Sequence, residues 1–211
     1  MTENRSFFDI IQPRTDTTDR VYDLCVQIEN ILHSYDDKFD AFAELVQNSV
    51  DAILERYQDD SSFSPRIDIV VDYRSNKLSI LDNGCGVQRS DLYDVLRPNC
   101  SLKRRLRQSD ARGEKGAAVA FLQFGHRQFE FHSKISSERS QYVLKDGNRW
   151  FDEVSEKLSS PTWDESDLKS PTFEIKDTVI ESLEKLDSGS YAVVEFSESS
   201  NLGSIPQMVF R

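Results

Sequence analysis

Apolar residues recur at three- and four-residue steps along two stretches near the N-terminus. Val21, Leu24, Cys25, Ile28, Ile31 and Leu32 carry this spacing through residues 20–34, which predicts a helix. Residues 36–57, DDKFDAFAELVQNSVDAILERY, predict a second and longer helix whose acidic first turn suits the helix dipole. The step then shortens to two: RIDIVVDY (66–73) and KLSILD (77–82) alternate as strands, with RSN between them as a hairpin turn. SDLYDVL (90–96) predicts a short helix with Ser90 as its N-cap. The polar stretch 97–112 follows no period, and GEKGAAVAFLQFG (113–125) predicts a glycine turn opening an apolar helix. RQFEFHSKI (127–135), SQYVLKDG (140–147) and RWFDEV (149–154) are expected as successive antiparallel strands. Residues 156–172, rich in Ser, Pro and Asp, are expected as a surface loop. TFEIKDTVI (172–180) and SYAVVEFS (190–197) are expected as further strands, with a short helix near residues 182–186. Residues 1–18 read as extended or irregular, and NLGSIPQMVFR (201–211) ends without a stop signal, as in a chain cut from a longer protein.

This order of elements predicts an α+β two-layer sandwich, with helices on one face of a mixed, mostly antiparallel sheet, and excludes a doubly wound parallel fold. A chain of 211 residues is long enough for one good core, and 37% hydrophobic with 30% charged residues fits a soluble globular domain. No apolar run approaches the roughly 18 residues of a membrane span, and the N-terminus lacks a signal-peptide pattern. Cys25, Cys85 and Cys100 are odd in number and have no CxxC spacing, which argues against a disulfide framework or a zinc site. A cytoplasmic location is the resulting expectation. The net charge of −11 disfavours nucleic acid as a direct partner of this domain. KRRLR, Lys103 to Arg107, is the local exception, read either as a solvated loop or as an anion-facing segment.

Three stretches carry candidate chemistry. In AELVQNSVDA (43–52), Asn48, Ser49 and Asp51 are residue types that compete for backbone hydrogen bonds and weaken a helix. At about 100° per residue, Glu44, Asn48 and Asp51 fall within a band of roughly 60°, and Phe42, Leu45, Val46, Ser49 and Ile53 fall on an apolar stripe about 150° away. A solvated face is the ordinary fate of such a polar line. Here its side chains are short and of fixed reach, and small residues, Ser49 and Ala52, allow close approach of another object. In LDNGCGV (81–87), Asp82 followed by Gly84 and Gly86 forms a turn that lets a ligand touch the backbone while a carboxylate points at it. In RGEKGAAVAF (112–121), Gly113 and Gly116 flank a helix start whose free N–H groups suit an anion. The absence of a GK[ST] ending excludes a P-loop.

In this order and spacing the three stretches resemble the GHKL ATPases, which include gyrase B subunits, the large heat-shock chaperones, histidine kinases, MutL and MORC proteins. ELVQNSVDA is similar to the first motif, DNGCGV to the second and GEKGAAV to the third, and GSYAVVEF resembles a late strand with Ser190 where Thr is common. The resemblance spans roughly residues 40 to 197 and implies a Bergerat-type fold, with ATP or ADP and Mg²⁺ as ligands. It implies Glu44 as the base acting on water, Asn48 as the Mg²⁺ ligand, and Asp51 and Ala52 as parts of the nucleotide pocket. Asp82 is implied as the carboxylate that reads the adenine amino group, with Gly84, Gly86 and Val87 around base and ribose, and Ser190 backing Asp82 through water. Gly113, Glu114, Lys115, Gly116, Ala117 and Ala118 are implied as the phosphate cradle, and Ser101 and Lys103 as phosphate-reaching residues of a lid over about 97–115.

The corresponding organisation is an N-terminal arm and helix (1–36), an ATP-binding domain (37–200) and the start of a linker (201–211). The third motif lacks the third glycine of many relatives, and no second domain that would donate a Lys is visible, so slow hydrolysis by the isolated chain is expected. Nucleotide state is expected to control lid closure and homodimerisation, with Phe7, Phe8, Ile10 and Ile11 as a candidate exchanged arm, and a protein partner is a further expectation. Asp51 favours the gyrase, chaperone, MutL and MORC side, and the acidic charge favours a MORC-like or chaperone-like branch, including bacterial defence modules. Two alternatives stay open: a non-hydrolysing, nucleotide-gated interaction module, and a histidine kinase-like phosphotransferase using His33.

Overall fold

A computed structural model of the chain describes residues 20–35, 39–98, 117–160 and 169–197. Six helices and six strands run in the order α1 (Arg20–His33), α2 (Asp40–Asp59), β1 (Ile67–Asp72), β2 (Lys77–Asp82), α3 (Leu92–Leu96), α4 (Ala117–Phe124), β3 (Gln128–Ile135), β4 (Glu138–Lys145), α5 (Gly147–Leu158), β5 (Thr172–Lys176), α6 (Glu181–Glu184) and β6 (Ser188–Glu195) among the described residues. The strands form one open sheet in the order β1-β2-β6-β3-β4-β5, and all its pairings are antiparallel. The architecture is an α+β sandwich, as the alternation of periods predicts.

The core lies between one sheet face and the helices. Leu78, Ile80, Phe129, Leu144 and Val194 supply the sheet side, and Leu24, Ile28, Leu45, Leu122 and Phe124 the helix side. α1 packs on α4 and α5, while α2 packs on β2, β6 and α4. A buried polar chain ties three elements: Tyr142 Oη donates to Gln123 Oε1 (2.7 Å), and Gln123 Nε2 donates to the Leu96 carbonyl (2.9 Å). Burial without any charge partner pushes the Tyr142 hydroxyl pKa well above its ordinary value, so it stays a donor.

Several boundaries differ from the sequence-based expectation. RWFDEV is not a strand. It lies in α5, where Trp150, Phe151 and Val154 are buried at helical spacing, and the stretch is too short to distinguish the two periods. β5 ends at Lys176, four residues before the expected end at Ile180. Ser90 does not cap α3; Asp91 occupies that position, and no side chain closes the first turn. On α2 the buried residues are Ala41, Leu45, Ser49 and Ile53, a strict four-residue step, and Phe42, expected on the apolar stripe, is exposed. The expected N-terminal arm, most of the lid and the terminal linker fall outside the described residues. Among the described residues, no helix is long and apolar enough to cross a membrane.

Candidate nucleotide site

The site grows from the contact between α2 and the end of β2. Asp82 closes β2 and is almost fully buried, at 1% exposure. Its carboxylate accepts four hydrogen bonds. Gly84 N–H (2.9 Å) and Ser190 N–H (3.3 Å) reach Oδ1, while Ser190 Oγ (2.5 Å) and Ser49 Oγ (3.1 Å) donate to Oδ2. Burial raises the pKa of this group above the usual carboxylate range, and the four donors pull it part of the way back. Ser190 stands directly opposite Asp82 in the β2–β6 register, so it meets the carboxylate directly, without the water expected between them.

Hydrogen bonds pin the turn after Asp82 at residues 83, 84, 85 and 87. Asn83 Oδ1 accepts from Arg66 N–H (2.7 Å), its Nδ2 donates to the Ser64 carbonyl (2.8 Å), and its carbonyl accepts from Arg56 Nη1 (2.8 Å). Ser188 Oγ donates to the Gly84 carbonyl (2.7 Å), and Cys85 N–H donates to the Ala52 carbonyl on α2 (3.0 Å). Ser133 Oγ both accepts from Val87 N–H (2.6 Å) and donates to its carbonyl (3.0 Å). A Cβ on Gly84 would sit 2.6 Å from the Ala52 carbonyl carbon, and Gly86, at φ +70°, would set one 2.6 Å from the Lys134 carbonyl oxygen. Packing of protein against protein therefore demands both glycines. The close approach expected at Ala52 is met by this turn.

The polar line of α2 runs from Glu44 through Asn48 to Asp51. Glu44 is half-buried, and Oε1 accepts from Tyr35 Oη at 3.0 Å. The Tyr35 ring stacks on Phe121 of α4, with centroids 4.1 Å apart and planes 9° apart. Asn48 is exposed one turn on from Glu44, and Asp51 accepts from Gln47 Nε2 (2.8 Å) on the same helix. Ala117 and Ala118 are buried in the first turn of α4. Ser101, Lys103, Gly113, Glu114, Lys115 and Gly116 lie outside the described residues. His33 is exposed at the end of α1.

The structure thus brings Asp82, Gly84, Ser190, Ala52 and Ser49 into one contact, with Glu44 and Asn48 on the same helix. Sequence reasoning missed Ser49 as a donor to Asp82, Tyr35 as a partner of Glu44, and Ser133 and Ser188 as anchors of the turn. Ser49 had a signal: a hydroxyl on the buried stripe of α2 needs a buried partner.

A family model described as histidine kinase-, DNA gyrase B- and HSP90-like ATPase matches residues 36–188, which is most of the chain. The chain belongs to this ATPase family. No curated protein sequence matches it. The family binds ATP, generally with ATPase activity and Mg²⁺, and its domains commonly dimerise. In this family member the matched segment runs from the residues just before α2 to the start of β6, and it contains the whole α2–β2 contact.

Proposed function

We propose that the chain binds an adenine nucleotide with the base at Asp82 and the phosphates running along α2 toward Asn48 and Glu44, and that it hydrolyses ATP slowly. The supporting observation is the buried Asp82 carboxylate, which is held by Ser49 on the helix that also carries Glu44. A carboxylate offers about four acceptor sites, and all are used by donors of the chain. An incoming amino group therefore takes the place of one hydroxyl, and Ser49 or Ser190 can release its hydrogen bond by rotating its O–H while the backbone donors stay. Glu44 then orients or deprotonates water at the far end, a role supported by the hydrogen bond from Tyr35 that holds its carboxylate.

The residues present fit a magnesium ion carried with the phosphates. Among the described residues no cluster of three or more His, Cys, Asp or Glu could cage a metal by itself. Mg²⁺ characteristically takes one or two protein oxygens and completes its shell with phosphate and water, and the exposed Asn48 amide oxygen suits that role. When bound, the ion would supply charge neutralisation at the phosphates.

Nucleotide-dependent closure of the 97–115 lid and homodimerisation complete the proposal, within a MORC-like or chaperone-like ATPase. Family membership supports the homodimerisation alone, since domains of this family commonly dimerise. The deciding experiment measures Mg-ATP turnover and binding in the Glu44→Ala variant. Loss of turnover with binding retained supports Glu44 as the base; unchanged turnover refutes it.

A further inference from the structure

Among the described residues the core covers the start of the first strand, where Ile67 packs against it, and leaves the rest of that face bare. Among the described residues β1 is an outer strand with only β2 beside it, while α2 packs on β2 and β6. Ile69 and Val71 share a face with the buried Ile80 and Leu78 opposite them, yet they remain 42% and 36% exposed. Among the described residues the backbone edge is open as well. Asn83 N–H donates to the Arg66 carbonyl (3.2 Å), so alternation turns the N–H and C=O of Ile67, Ile69 and Val71 outward from the sheet.

Such an edge is a template for another strand, and proteins commonly block it with charge. Here the charges complement themselves. We propose that β1 is a self-pairing edge, on which a second copy of this chain docks antiparallel about a two-fold axis through Ile69. Centring on Asp68 would set that carboxylate against itself, which leaves symmetric registers centred on Ile69, Val70 or Val71. Centring on Val70 sets Arg66 against Arg74 and Asp68 against Asp72, and like charges directly opposite are destabilising. Centring on Val71 draws in Tyr73 and Arg74, which belong to the turn where Asp72 accepts from the Arg74 and Ser75 N–H groups. Centring on Ile69 stays within the strand. It sets Arg66, which pairs with Asp68 on its own strand, against the partner's Asp72 at both ends, where exchange of one exposed carboxylate for another joins the two copies, and it sets Ile67 against the partner's Val71 and Ile69 against the partner's Ile69. Each outward residue then donates and accepts one backbone hydrogen bond, and the uncovered apolar face is continued by the same face of the second copy.

The interface is small and belongs to the weak class. It requires no nucleotide, so it goes beyond the association proposed above and stands or falls separately. The test is sedimentation of the nucleotide-free chain over a wide concentration series near physiological ionic strength, where the repulsion between two acidic chains is screened. The expected result is a mass that rises from one chain to two. Ile69→Pro removes an outward N–H without touching the β1–β2 ladder, and it should return the mass to one chain. Val70→Asp, at a site 58% exposed, puts a second carboxylate opposite the partner's Asp68 and should weaken the dimer roughly tenfold. Circular dichroism separates loss of fold from loss of pairing, and should Ile69→Pro unfold, Val70→Asp decides.

Register is read by cross-linking in a Cys100→Ser background. Ile69→Cys should form an intermolecular disulfide on mild oxidation, and Val70→Cys and Val71→Cys should not. Cys25 and Cys85 do not compete, because burial pushes both thiols up to about 12. A single-chain mass at every concentration overturns the proposal, as does a dimer indifferent to the folded variants. Preferential cross-linking at position 70 or 71 overturns it too.

Discussion

Asp82→Asn isolates the chemistry of the base site from its architecture. Two of the four donors to this carboxylate are backbone N–H groups on Oδ1, and two are hydroxyls on Oδ2. An amide can keep its oxygen under the backbone pair and turn its NH₂ toward Ser49 and Ser190, whose hydroxyls accept as readily as they donate. The replacement is therefore accommodated, and it removes a buried charge whose pKa burial has raised. The sign follows from that direction. The folded chain holds the Asp82 proton more tightly than the unfolded chain, so its contribution to stability falls as pH rises through the interval above the ordinary carboxylate pKa. At neutral pH the Asn variant should melt no lower than the parent. Nucleotide binding should suffer, because an NH₂ then faces the exocyclic amine of adenine. Losing a hydrogen bond to a charged acceptor and leaving two donors face to face costs about 2–4 kcal/mol, or roughly 30- to 700-fold in Kd. Calorimetric titration with Mg-ADP and a thermal melt measure the two sides. A folded variant with parental affinity would refute the assignment of Asp82 to the base.

Three further outcomes follow from the geometry. Gly84→Ala should destabilise the chain by about 1–3 kcal/mol, since the new methyl meets the α2 backbone; a urea midpoint equal to the parent's contradicts that packing. Tyr35→Phe should leave KM for ATP nearly unchanged and lower kcat, because it removes the donor to Glu44 while keeping the ring stacked on Phe121; steady-state kinetics showing a loss confined to KM would exclude a positioning role. His126 lies between the Phe121 and Phe196 rings, and burial lowers its pKa from 6.5 to about 4. The unfolded chain takes up this proton first, so stability is lost as pH falls from about 6.5 toward 4, by at most about 3 kcal/mol. His126→Phe should flatten that part of the stability profile in urea unfolding at a series of pH values.

The fold was largely legible in the chain's periods, because most elements bury a single face. α1, α2, β1 and β2 show clean steps of three to four or of two. α5 was misread because RWFDEV offers only three apolar residues, and its helical spacing becomes clear only when Leu158 is included. The candidate residues on α2 and at the end of β2 could be picked out as types, but not as contacts. Ser49 and Asp82 are 33 positions apart, and Ser190 lies 108 beyond Asp82; no local pattern joins them. Gly84 and Gly86 read as concessions to a ligand, since a sequence does not show that Ala52 and Lys134 already occupy the space. Tyr35 lay in an unremarkable segment between two helices, where nothing local links a phenol to Glu44.

The welding of α2 to Asp82 through Ser49, and to the turn after it through Ala52 and Arg56, makes this half of the molecule a ruler. Ser49 and Glu44 are separated by about 7.5 Å of helix rise, a length set on folding and indifferent to what arrives. On the proposed reading, a nucleoside diphosphate and triphosphate are gripped at the same end and differ only at the far mark. Cleavage would then leave the product still clasped, and the interval between cycles would be governed by its departure, so the chain would keep time as a slow clock.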